Sequence, residues 1–154
     1  MASDDKKQPP KPGKEQELLQ VFVGKWKTEG KCWEHPNGLA IPVRAVDSYE
    51  WLPGKFFLIH RWEAKIGGNE NKGIEIIGFD EPTGTYFMHS YDNLGNRTVM
   101  EASFQNNTWA YLGESERCQV IFKNEGRIMN GSWERTSDGV NWVPWMEVKL
   151  TKES

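Results

Sequence analysis

The chain has 154 residues, a formal net charge of −3, 12% aromatic residues and only two cysteines. That length supports one domain without a disulfide or metal staple, and Cys32 and Cys118, neither in a CxxC pair, do not make a secreted disulfide scaffold. The acidic balance argues against nucleic acid, which needs basic residues gathered on one face, and no apolar run is long enough to cross a bilayer as a helix.

In chain order, residues 1–13 mix charge with proline and have no apolar stretch of the kind that opens a secretory signal. They are expected to form a disordered polar tail, leaving 14–154 as a single domain, and the location expected is cytoplasmic. From Glu15 to Val23, Leu18, Leu19 and Phe22 share a helical stripe, which predicts a short helix covering one end of whatever follows.

Ten short runs rich in Val, Ile, Phe, Tyr and Trp come next, at about Lys25–Trp33, Ile41–Trp51, Phe56–Ile66, Gly73–Asp80, Thr85–Asp92, Arg97–Gln105, Thr108–Gly113, Arg117–Lys123, Arg127–Arg135 and Val143–Thr151. Turn signals such as Gly67-Gly68, Asn106-Asn107 and Asp138-Gly139 separate them. Short links make sequence neighbours pair in space, and a meander of about ten strands removes its exposed edges by closing. The expected fold is therefore all-β: a closed up-and-down antiparallel barrel of about ten strands, wide enough to hold a pocket.

Period two sorts the faces where polar and apolar residues alternate. Trp26, Thr28, Gly30 and Cys32 point inward from the first strand, and Phe56, Leu58, His60, Trp62 and Ala64 from the third. Thr98, Met100, Ala102 and Phe104 do so from the sixth, Cys118, Val120 and Phe122 from the eighth, and Pro144, Met146, Val148 and Leu150 from the last. Trp145 then falls outside with Glu147 and Lys149, a candidate partner contact. The second, fourth, fifth, seventh and ninth strands are apolar or mixed on both faces, which leaves the parity of His89, Tyr91 and Tyr111 open.

The inward set is apolar and aromatic with sparse polar groups, the lining that a small hydrophobic or aromatic ligand needs. The expected ligand-binding residues are Trp26, His60, Trp62, Tyr91, Met100 and Tyr111. His60, beside Trp62 in an apolar interior, is expected to be neutral at pH 7 and to orient the ligand by one hydrogen bond. No GxSxG, HExxH, Walker or dinucleotide motif is present, and no HxH or CxxC spacing marks a metal. No cofactor or metal is expected. Two alternatives stand beside ligand binding: a small isomerase, cyclase or lyase using His60 as acid or base, and a packed barrel acting through its surface or by self-association.

Gly24-Lys25-Trp26 after a helical turn resembles the Gly-x-Trp opening of the calycin superfamily, which includes lipocalins, fatty-acid-binding proteins and nitrobindins. The run from Trp26 to Gly30, Glu50 to Leu58, Gly73 to Asp80 and Trp133 to Trp142 is similar to an uncharacterised bacterial family of calycin-like barrels, the domain of unknown function DUF1579. The resemblance implies the barrel, and implies that Trp26 closes one end beneath a cation from the last strand, for which Lys149 and Lys152 are the candidates. Nitrobindins hold haem through a histidine near the C-terminus, and this chain has no His after His89.

Overall fold

The computed structural model describes residues 8–153; most of the expected polar tail, residues 1–7, lies outside the described residues, and 8–13 form neither helix nor strand. A one-turn helix α1 (Lys14–Leu18) runs into a 3-10 turn at Leu19–Phe22, and ten strands follow. These are β1 (Gly24–Cys32), β2 (Ile41–Trp51), β3 (Leu58–Ile66), β4 (Asn69–Asp80), β5 (Thr85–Asp92), β6 (Arg97–Gln105), β7 (Thr108–Leu112), β8 (Glu116–Lys123), β9 (Ile128–Arg135) and β10 (Val143–Lys152). Each strand pairs antiparallel with the next, and β10 returns to β1, so the barrel is closed.

Turn chemistry sets the register. The β3–β4 and β6–β7 hairpins have two-residue loops, Gly67-Gly68 and Asn106-Asn107, in which all four residues take positive φ. Such mirror-image turns match the twist of paired strands, and register in turn decides which side chains enter the lumen.

The expected inward sets of β1 and β8 are inside: Trp26, Thr28 and Cys32, and Cys118, Val120 and Phe122, are all buried. The structure also assigns the strands whose parity was open. Val43, Asp47 and Tyr49 face inward from β2, Glu75 and Ile77 from β4, Tyr86 and Met88 from β5, Trp109 and Tyr111 from β7, and Met129 from β9.

The helical segment closes the end at which β1 starts. Leu19 and Phe22 are buried, and Phe22 packs within 5.0–6.3 Å, centroid to centroid, of Tyr49, Phe104, Trp109 and Phe122. Leu18 is 51% exposed, against expectation, because the tightening into a 3-10 turn breaks the helical stripe after α1. The buried place on that turn goes to Gln16, whose Oε1 accepts from the Gly13 backbone N–H at 2.7 Å.

The last strand departs from simple alternation. Its register with β9 shifts between Pro144 and Met146, so Trp145 is the extra residue of a β-bulge. Pro144 is exposed, and Trp145 is half-buried and lines the lumen together with Met146. This corrects both the inward placement of Pro144 and the outward placement of Trp145. Proline within a strand has no N–H for the ladder and is at home at bulges, where the two-residue alternation is reset.

Candidate functional site

Inside the barrel is a cavity of about 310 Å³, at the lower end of the range for small-molecule sites. Its base is formed by Phe22, Trp109 and Ile77 above the helical plug. Its walls are of two kinds.

A polar belt runs across β1 to β6. Thr28 Oγ1 donates to Asp47 Oδ1 at 2.6 Å; Asp47 Oδ2 lies 2.7 Å from His60 Nε2; and His60 Nδ1 lies 3.0 Å from Glu75 Oε1. Register extends the belt, since Glu75 faces Ser90 on β5 and Ser90 faces Thr98 on β6, and both line the cavity. The other half of the wall, from β7 to β10, is mostly aromatic and aliphatic: Tyr111, Val120, Trp133, Trp145, Met146 and Val148. Glu116 interrupts it.

His60 differs from its expected state. Burial alone would lower its pKa, but hydrogen bonds to Asp47 and Glu75 and the charges of both carboxylates outweigh that and raise it to about 9. The side chain is therefore an imidazolium at neutral pH, not the neutral ring inferred from an apolar interior. The missed signal was the parity of β2 and β4, which brings a carboxylate to each ring nitrogen. Tyr49 stacks on the imidazole at 4.0 Å between centroids with 7° between planes. Burial holds the Tyr49 and Tyr111 hydroxyls well above their ordinary range, and it raises Glu116 despite the opposing Arg135 charge.

With both N–H groups given to carboxylates, His60 has neither a lone pair for a base nor a free proton directed at a substrate. Asp47 and Glu75 also sit at opposite ring nitrogens. Among the described residues, no three His, Cys, Asp or Glu side chains form a group suited to a metal.

Of the six residues expected to touch a ligand, His60, Trp62, Met100 and Tyr111 line the cavity. Trp26 does not: it is fully buried at the plugged end, where its Nε1 donates to the Phe22 carbonyl at 2.8 Å and Lys152 Nζ sits 5.2 Å from its ring centroid. Tyr91 is 45% exposed on the outer face, because Ser90 and Asp92 are the inward residues at that end of β5. The residues that sequence reading passed over as contacts are Glu75, Glu116, Trp133 and Trp145. His89 packs beside Phe87 at 5.1 Å on the outer face. Neither it nor the clamped His60 is placed to ligate a haem in the lumen, so the residues present do not fit that cofactor.

Close approaches shape the aromatic surface. Trp62 lies across Gly73, its cross-strand partner, and its Nε1 donates to Asn71 Oδ1 at 2.7 Å. Trp133 covers Gly131, two residues before it on β9, while the Arg135 guanidinium stands 3.7 Å from the Trp145 ring centroid. Side chains at either glycine would collide with these rings.

Residues 11–137 match the family described as "Protein of unknown function (DUF1579)". The chain belongs to that family. This DUF1579 member matches no curated protein. Among solved structures it is similar to Rv2717c from M. tuberculosis, at 11% identity and a TM-score of 0.68, covering 92% of this chain and 99% of that one. It is also similar to the S-type phycobiliprotein lyase CPES from Guillardia theta, at 8% identity and a TM-score of 0.55, covering 90% and 92% respectively. At such identities the likeness concerns the fold alone. Among the described residues no helix of the DUF1579 chain is long and apolar enough to cross a membrane.

Proposed function

We propose that this DUF1579 barrel is a binding module that takes a small, largely aromatic molecule into its lumen. The observation that carries this reading is the cavity of about 310 Å³, in which indole, phenol and thioether side chains face a hydrogen-bonding belt. Trp145 Nε1 adds support: it is a buried donor with no partner among the described residues, and buried donors are rarely left so. His60, Trp62, Met100 and Tyr111 are the proposed contacts, joined by Trp133 and Trp145. The clamped geometry of His60 weighs against its use as a catalytic acid or base. Two free, buried cysteines accord with a cytoplasmic location.

The test is intrinsic tryptophan fluorescence during titration with a neutral, polarity-sensitive naphthalene dye. Saturable quenching with one dye per chain is expected, weakened at least about tenfold in Trp62→Ala. A flat titration, or a Trp62→Ala curve that overlays the wild type, would remove the lumen as the site.

A further inference from the structure

The lumen has an excess of negative charge. Four carboxylates line it, from Asp47, Glu75, Asp92 and Glu116, and among the described residues no Lys or Arg side chain does. Two of the four are answered locally. Asp92 accepts from the Leu94 and Asn96 backbone N–H groups and from Asn96 Nδ2, which ties it into its own turn. Glu116 is pushed toward its neutral form by burial, which outweighs the opposing charge of Arg135.

The remaining two, Asp47 and Glu75, share a single imidazolium. Their side chains are only 11% and 12% exposed, so one negative charge is left unbalanced deep in the wall. Burying an unpaired charge is costly, and a positively charged guest removes that cost. The opposite wall suits the same guest. The faces of Tyr111 and Trp133 carry negative π density that attracts cations, and Met88, Met100 and Met146 adapt to the shape of a ring. A carboxylate guest such as a fatty acid would instead add a third negative charge to the belt.

We infer that the lumen selects a flat aromatic molecule bearing one ammonium or amidinium group, held against Glu75 and Asp47, over neutral or anionic molecules of the same shape. This rests on the lumen-binding reading above and adds a chemical class to it.

The experiment compares three probes of matched shape on the full chain at pH 7: naphthylmethylamine, naphthylmethanol and naphthoic acid, each followed by tryptophan fluorescence and by competition with the naphthalene dye. The amine is expected to bind at least about tenfold more tightly than the alcohol, with the acid weakest. Glu75→Gln should shrink the amine preference, read as the ratio of amine to alcohol affinity within the same variant, to under about threefold. Asp47→Asn provides a second variant should Glu75→Gln fail to fold. If the alcohol binds and the amine binds no better, charge selection is wrong and lumen binding stands. An amine preference that persists intact in a folded variant also overturns the role of the belt. If none of the three probes binds, both readings fall.

Discussion

His60 Nε2 lies 2.7 Å from Asp47 Oδ2, although the two residues are not direct partners in the β2–β3 ladder: Asp47 faces Trp62, and His60 faces Tyr49. The contact is diagonal, between side chains that share the inner face one step apart. Thr28 reaches Asp47 from β1 on one side, and Glu75 reaches the imidazole from β4 on the other, so four strands are tied by three hydrogen bonds, two of them to one ring. The belt is thus structural before it is anything else, and its charge state governs both stability and the field in the lumen.

Stability should depend on pH through His60. Its folded pKa of about 9 lies above the roughly 6.5 of an unfolded histidine, so the stabilising contribution is complete below about pH 6.5 and is lost as pH rises through 9. The shift corresponds to on the order of 3 kcal/mol. Urea midpoints at several pH values between 6 and 9.5 should fall along that interval. Midpoints that stay level to pH 9.5 would mean that the imidazolium pairing is absent.

Removing the ring should cost more than neutralising a partner. His60→Leu leaves two buried carboxylates without their shared cation, and about 3–5 kcal/mol of destabilisation is expected. Glu75→Gln keeps an acceptor near Nδ1 but deletes a charge, so it should lower the His60 pKa, read from imidazole proton shifts by NMR. An unchanged titration in Glu75→Gln would show that Asp47 alone sets the protonation state.

The ten strands, their order and most of their ends were legible in the sequence because short turns and alternating side chains are local signals. The inner face of β1 could be read from Lys25, Lys27, Glu29 and Lys31, whose charge has to point to water. The belt was half legible. His60 emerged from parity, but Glu75 sits in Gly73-Ile74-Glu75-Ile76-Ile77, where isoleucines occupy both faces and alternation says nothing. Only pairing with β3, which places Glu75 opposite His60, makes that carboxylate inward. Trp145 was misplaced for a different reason: a single inserted residue resets the period, and the one local hint was Pro144 inside a strand.

Trp26 has a structural task. It is fully buried, bonded to the turn that plugs the barrel and covered by Lys152. Trp26→Ala should destabilise by about 3–5 kcal/mol through lost burial and the cavity left behind. A loss under about 1 kcal/mol in a urea titration would show that the plugged end tolerates the void.

Haemin offers a direct check on the nitrobindin resemblance. Both nitrogens of His60 are engaged, and His89 lies outside, so titration with haemin should give no one-to-one, histidine-ligated Soret band. Such a band, abolished in His60→Ala, would require the clamp to open readily and would overturn the view of the belt as a fixed element.

Gly73 should matter to both packing and binding. A Cβ at this position would stand 2.2 Å from Trp62 Cζ2 and 2.5 Å from the Tyr91 carbonyl oxygen, so the ring must tilt and β5 must yield. The indole cannot tilt freely while its Nε1 donates to Asn71. Gly73→Ala is therefore expected to destabilise by about 1–3 kcal/mol, as overpacking does, and to weaken dye binding in the lumen. Combining it with Trp62→Phe removes the clashing half of the indole but leaves the backbone contact, so the pair should recover part of the loss and show a coupling of at least about 0.5 kcal/mol in a double-mutant cycle. Strict additivity would mean that the Tyr91 carbonyl alone resists the added methyl group. The glycine would then serve the spacing of β4 and β5, and the Trp62 wall would not depend on it.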